Sequence, residues 1–484
     1  MDKRNLGMIA DFYEFTMANG YFSKNMNDIA YFDVFFRRVP DEGGFAIFAG
    51  LKQVIDLIKD LRFTEEDINY LRSVNSSFTE EFLDYLRNFK FTGDVYAIPE
   101  GTVVFPGEPL ITIKAPLIEA QLLETMILLT VNHQSLIATK TRRIVNQAKG
   151  RPVMEFGARR AHGPDAAIYG ARAAIIGGAI GTSCSISAKE FEVTVSGTMA
   201  HSWIQSFDSE YEAFKTYAEI YPNGCTFLID TYDTLESGLV NAIKVSNEVL
   251  APLGAKPVAV RLDSGDLAYL SKEVRKRLDE AGYPDCKIVA TNSLDEKLIA
   301  SLLDQDAKID IFGVGENLIT AKSEPVFGGV YKLVALEKDG RIVPKIKISE
   351  NVAKVTNPGF KKIYRFYSKE NGKALADLIS LHDDYIPDNG FPIDGTFTIF
   401  DPVNTWKKKT LSNYYLKELQ VKIFENGNLV YNSPSLKEIA EHSKNDLDTF
   451  WDEIKRMNNP HKYIVDLSQN LWNLKHDLLN RRGN

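Results

Sequence analysis

Cysteine is nearly missing from this chain: Cys184, Cys225 and Cys286 are the only three, and they stand far apart. Scattered thiols in that number exclude a disulfide framework and a thiolate zinc knuckle. Positive charge is also short, with 57 Lys and Arg against 65 Asp and Glu and a formal net charge of -8. That balance argues against a general affinity for nucleic acid or anionic membrane, so an anionic ligand must be bound locally. Long apolar runs are lacking as well. The most apolar one, Leu122 to Val131, is too short to span a bilayer and is interrupted by Glu124. The start MDKRNLGMIADFYEF has no apolar leader region, and a cytoplasmic protein is expected. Histidine is scarce too, seven in all, which gives each one weight.

What is present suffices for large cores: 484 residues, 44% of them hydrophobic and 25% charged, predict two or three domains. In IAYFDVFFRRVP, Tyr31, Asp33, Phe35 and Arg37 share one face of an extended strand. LKQVIDLIKDL and EEFLDYLRNF carry helical periodicity. From Phe91 to Ala115 short apolar runs are punctuated at Gly93, Pro99 to Gly101 and Pro106-Gly107, which predicts a compact β layer. A long helix from about Ile118 to Gln147 connects this layer to the next domain. The expected domains are 1–150, an α+β sandwich-like domain with this helix; 151–344, an α/β barrel; and 345–484, a C-terminal accessory domain of weak strands ending in a helical pattern around Leu436 to Met457.

The barrel expectation rests on a rhythm. Between Pro152 and Leu336 the runs PVMEFG, GTSCSI, FEVTVSG, CTFLID, VAVRLD, KIVATN, IDIFGVG and GGVYKLVAL alternate with helical or loop segments. Glu155, Ser183, His201, Asp230, Asp263 and Asn292 close or follow six of them, spaced 28, 18, 29, 33 and 29 residues apart. Spacing near thirty is that of strand–helix units in a parallel barrel or wound sheet. In such barrels the strand C-termini converge on one face, where catalytic groups sit.

Three clusters carry candidate chemistry. In EFGARRAHG, Arg159 and Arg160 can fork onto a carboxylate or phosphate with Phe156 as an aromatic wall, or form a basic surface turn. In VRLDSGDL and LIDTYD, the acids Asp263, Asp266, Asp230 and Asp233 read either as helix caps or as a Mg²⁺ shell. FGVGENL, with Thr291-Asn292 on the preceding unit, offers Gly313 and Gly315 to a phosphate. His201, in VSGTMAHSWIQSF, would alone pass for a structural histidine. On one face with two acids, two arginines and a glycine loop, it becomes a candidate nucleophile toward a phosphoryl group.

These motifs bear a family likeness. DFYEFTMANGYF, VFFRRVP followed by GGFAIFAGL, EFGARRAHG, GTS, SGTMAHSW, LIDTYDT, VRLDSGDL, ATNSLDE and FGVGENL occur in the order found in nicotinate phosphoribosyltransferases, which the chain resembles over nearly its whole length. The resemblance implies a type II phosphoribosyltransferase fold, an incomplete α/β barrel beside a sandwich-like domain. It implies ATP-assisted transfer of the phosphoribosyl group of PRPP to nicotinate, giving nicotinate mononucleotide and diphosphate on the route to NAD. A homodimer with active sites at the subunit interface is also implied. Carried over by position, His201 becomes the residue phosphorylated by ATP. Tyr13, from the partner subunit, and Phe156 hold the pyridine ring with Arg159 nearby, and Arg261 and Ser183 face its carboxylate. Asp230 and Asp263 face ribose and Mg²⁺; Thr291, Asn292, Gly313 and Gly315 face the 5-phosphate; Arg37 faces the diphosphate. Cys184 departs from the asparagine expected in many relatives. Quinolinate phosphoribosyltransferase and a non-catalytic sugar-phosphate sensor are the competing readings.

Overall fold

The computed structural model describes residues 5–351, 354–384 and 395–482, and the chain divides into two compact units. One comprises Ile137–Pro325, and the other joins Met1–Leu136 to Val326–Asn484. The helix Glu124–Gln147 runs from one into the other.

The 137–325 unit is the expected parallel array. Its five strands lie in the order Val153–Glu155, Ile311–Val314, Lys287–Ala290, Ala259–Leu262, Thr226–Leu228, all parallel. Beyond Glu155 the array continues through single parallel bridges, Glu155 to Thr182 and Thr182 to Val195. GTSCSI and FEVTVSG are therefore one-bridge extensions, because the helix Ser185–Phe191 starts directly after the first. Among the described residues no ladder joins Val195 to Thr226–Leu228, so the barrel is incomplete. Its wall is apolar and fully buried at Phe227, Val260, Ile288 and Phe312, as expected for parallel strands covered on both faces.

The last predicted barrel run lies elsewhere. Gly329–Lys338 pairs antiparallel with Ile29–Phe36, and Tyr331 stacks on Phe32 at 4.7 Å between ring centroids. A parallel return needs a crossover of a dozen or more residues, usually helical. Between Val314 and Gly329 there is only the four-residue helix Glu316–Ile319.

In the other unit, a seven-stranded sheet runs Arg341–Pro344, Gly329–Lys338, Ile29–Phe36, Ile111–Pro116, Asp94–Ala97, Val421–Glu425, Asn428–Leu429. A four-stranded sheet holds Tyr414–Glu418, Lys361–Ser368, Ala374–Leu381 and Val465–Leu467. The boundaries expected at 150 and 344 are thus corrected. Residues 345–484 do not stand apart as an accessory domain, because Val421 pairs with Ala97 inside the N-terminal sheet.

Candidate active site

At the C-terminal ends of the barrel strands, five of the expected residues are tied into one network. Asp230 follows Thr226–Leu228, and its side chain is 1% exposed. One carboxylate oxygen lies 3.2 Å from His201 Nε2; the other accepts from Ser264 Oγ at 2.6 Å and from the Asp263 amide at 3.2 Å. A proton on Nε2 makes the ring a donor to that carboxylate and leaves Nδ1 with the lone pair. His201 opens the short helix His201–Gln205, and its side chain is 39% exposed, so the imidazole is accessible while its anchor is buried.

Arg261, on the next strand, uses all three guanidinium nitrogens. Nε donates to Thr291 Oγ1 at 3.1 Å and Nη1 to Thr198 Oγ1 at 3.2 Å and Met199 O at 3.4 Å, while Nη2 pairs with Asp263 at 3.2 Å. The guanidinium therefore fastens the loop just before His201 to the neighbouring strand ends. Thr291 also donates to Asp263. Both oxygens of Asp263 and both of Asp230 are engaged within the protein.

The aromatic floor follows from a glycine. A Cβ on Gly313 would sit 2.6 and 2.7 Å from two ring carbons of Phe156 and 2.7 Å from the Thr291 methyl. The space a side chain at 313 would need is thus filled by the Phe156 ring, so Gly313 can offer a ligand its backbone only. Phe156 is partly exposed. Gly315 approaches the Phe156 carbonyl, where an added Cβ would lie 3.1 Å from the oxygen, and it caps Glu316–Ile319. Asn292 and Ser293 have φ of 78° and 50°, a left-handed turn that Asn317 Nδ2 holds by donating to Ser293 O and Leu294 O at 2.9 and 3.1 Å.

The remaining expected residues are placed more loosely. Arg159 and Ser183 are exposed on the loops after Val153–Glu155 and Thr182. Tyr13, 43% exposed, and Arg37, whose Nε is buried with no hydrogen-bond partner among the described residues, belong to the other unit. The cap reading holds for two acids: Asp233 accepts from the Leu235 and Glu236 amides, and Asp266 from the Tyr269 amide. Glu155 reads in the sequence only as a strand end, yet it is fully buried. Its carboxyl accepts from the Gly157 amide and from Thr182 Oγ1, the latter at 2.6 Å, clamping the loops of Phe156 and Ser183, and burial pushes its pKa up. Sequence reasoning also misses Ser264 and Thr198 as anchors, although both lie inside the motifs quoted for Asp263 and His201.

The donor set bears on the expected Mg²⁺. Among the described residues no group of three or more His, Cys, Asp or Glu side chains is arranged to hold a metal ion. With Asp230 and Asp263 both engaged, the arrangement suits an ion that keeps its waters and arrives on phosphate oxygens, the usual habit of Mg²⁺, and does not suit an all-protein cage.

An incomplete parallel barrel with acid, arginine and histidine strand ends in one unit, and a β-rich second unit, define a type II phosphoribosyltransferase fold. Matches to known families agree: residues 8–132 match the nicotinate phosphoribosyltransferase N-terminal domain, 152–377 the nicotinate phosphoribosyltransferase family, and 360–475 its C-terminal domain. The chain is 45% identical over 472 residues to a nicotinate phosphoribosyltransferase of Bacillus subtilis (strain 168), covering 97% of this chain and 94% of the relative. It is 35% identical to the enzyme of that name from Dictyostelium discoideum, over 97% of this chain and 88% of that one. The crystal structure of human nicotinic acid phosphoribosyltransferase superposes with a TM-score of 0.86 at 29% identity, covering 97% of this chain and 99% of the human chain. The chain belongs to the nicotinate phosphoribosyltransferase family.

Proposed function

We propose that this enzyme joins nicotinate to the phosphoribosyl group of PRPP, releasing diphosphate and forming nicotinate mononucleotide for NAD salvage, and that ATP assists by phosphorylating His201. The observation that carries the reading is the His201–Asp230 pair: an accessible imidazole 3.2 Å from a carboxylate whose side chain is 1% exposed. A buried carboxylate fixes the ring's tautomer and stabilises the positive charge that develops on the ring as it takes on a phosphoryl group. Its free nitrogen is then a competent nucleophile toward a phosphoryl group.

Departure of diphosphate from the anomeric carbon builds positive charge on the ribose, which fixed carboxylates next to the sugar stabilise. Asp263 serves there, oriented by Thr291 and Arg261. Mg²⁺ belongs to the proposal as an ion brought in by phosphate oxygens, held near Asp263 and Asp230 through water; when bound it neutralises the leaving group. Phe156 supports the pyridine ring over Gly313, with Arg159, Arg261 and Ser183 on the carboxylate side. Thr291, Asn292, Gly313 and Gly315 form the 5-phosphate end in this reading, Gly313 through the backbone only. Arg37 is assigned to the diphosphate.

Ser183 supports the acid as substrate, since a carboxylate there would repel nicotinate and accept from an amide. A homodimer with Tyr13 supplied by the partner subunit is supported by the exposure of Phe12, Tyr13 and Met17 along the helix Phe12–Ser23. The three cysteines are free and buried, which supports the cytoplasmic reading, and no described helix is long and apolar enough to cross a membrane.

The test is product formation from nicotinate, PRPP and Mg²⁺ with and without ATP, with mass spectrometry of His201. Faster mononucleotide formation with ATP and phosphate on His201 is expected. Preference for nicotinamide would refute the role of Ser183, and turnover of quinolinate with decarboxylation would move the enzyme to the rival reaction. Binding of PRPP without turnover of any pyridine would leave a sensor.

A further inference from the structure

We infer that Ser264 is a positioning residue for the His201–Asp230 pair, acting on phosphoryl transfer through Asp230 without holding substrate itself. Ser264 Oγ donates to Asp230 at 2.6 Å, onto the carboxylate oxygen that does not face His201. Among the described residues the only other donor to that oxygen is the Asp263 amide at 3.2 Å. The hydroxyl thus supplies the shorter of two bonds that hold a carboxylate whose side chain is almost wholly removed from water.

The backbone fixes the hydroxyl where it is needed. On one side, the Asp263 amide is itself bonded to Asp230. On the other, Gly265 turns the chain at φ +80°, and a Cβ there would lie 2.8 Å from Leu270 Cδ1. Asp266 then caps the helix Leu267–Glu280 by accepting from Tyr269 N at 3.0 Å. A serine between two anchored residues has little freedom to leave its partner. Donors to one oxygen of a carboxylate fix its plane. The other oxygen is then held toward Nε2, and Nδ1 is presented to the phosphoryl group. Without the hydroxyl, the carboxylate keeps one long bond on that oxygen and can rotate, so the imidazole loses its orientation.

This inference rests on the phosphohistidine reading, and one experiment separates the two. Single-turnover labelling of His201 with γ-labelled ATP is measured for the wild-type enzyme, Ser264→Ala and Ser264→Thr, with Asp230→Asn as a reference. In Ser264→Ala we expect the labelling rate to fall by about tenfold or more at saturating ATP, the ATP concentration for half-maximal rate to stay within about twofold, and the melting temperature to stay within a few degrees. Ser264→Thr, which keeps the hydroxyl, should restore most of the rate. Wild-type labelling by Ser264→Ala overturns the inference, and so does a loss confined to ATP half-saturation or one that threonine does not rescue. Absence of label on wild-type His201 instead overturns the phosphohistidine reading on which it depends.

Discussion

Phe156 and Gly313 show how one missing side chain makes room for an aromatic ring. An alanine at position 313 would drive its methyl to within 2.6 to 2.7 Å of the Phe156 ring and the Thr291 methyl, far inside contact distance. Gly313 is fixed in a parallel strand, so the aromatic ring must move. Gly313→Ala should therefore raise the KM for nicotinate by about tenfold, equivalent to ~1.4 kcal/mol, and change the rate of His201 labelling by less than threefold. Initial-rate kinetics checks the first, single-turnover labelling the second; an unchanged KM would remove Phe156 from the ring site. The acids divide in the same way. Asp266→Ala removes a helix cap and should cost about 1 kcal/mol of stability with activity retained, whereas Asp230→Asn should abolish labelling of His201 with little change in melting temperature. Sequence alone leaves cap and site open for all four acids. Each precedes a helix or turn after a strand, and only the direction of the carboxylate separates them.

Among the elements, the helix Phe12–Ser23 combines an exposed aromatic face with a buried acid. Asp11 and Glu14 form a capping box at its start, and Glu14 also accepts from the Thr125 amide at 3.2 Å and from the Thr125 hydroxyl. Glu14 is fully buried, and burial pushes its carboxyl up from 4.5 to about 7. The folded state therefore holds a proton that the unfolded chain releases between pH 4.5 and about 7. Stability from this group is greatest below that window, falls as pH rises through it, and is level above. The loss is on the order of 3 kcal/mol for a shift of this size. Glu14→Gln keeps an acceptor for the two amides and cannot ionise, so its urea midpoint should vary much less between pH 5 and 7.5 than that of the wild type. An equal pH dependence in both would assign it to other groups. Tyr13 lies beside this acid, and the same substitution reports whether Glu14 controls how the aromatic face is presented.

At the scale of the molecule, the strand-end rhythm made the barrel legible, since parallel strands are short, apolar and regularly spaced. The partner of each strand was not legible. GGVYKLVAL has the composition of its barrel neighbours, and the missing crossover helix was the only signal against it. Still less could composition show that residues 421–429 return to the N-terminal sheet, because strand pairing is set by contacts far apart in sequence. A buried charge cluster makes that return binding. Arg365 is fully buried and forks onto Asp377 at 2.8 and 2.7 Å, reaches Asp446 at 3.3 Å, and donates to Val103 O at 2.8 Å. Asp446 accepts from the Val103 amide at 2.8 Å, and the guanidinium packs 4.9 Å from the Phe450 ring centroid. Burial and the neighbouring Asp377 hold Glu108 well above the usual carboxylate range. Arg365→Met would leave two carboxylates buried without their cation, a loss of about 3–5 kcal/mol. Since Val103 belongs to the N-terminal segment, the damage should not stay local. Hydrogen exchange should show protection falling together in 94–116 and 361–381, with a single lowered melting transition for the discontinuous unit. Protection lost only in 361–381 would mean that the C-terminal segment folds as a separate domain after all.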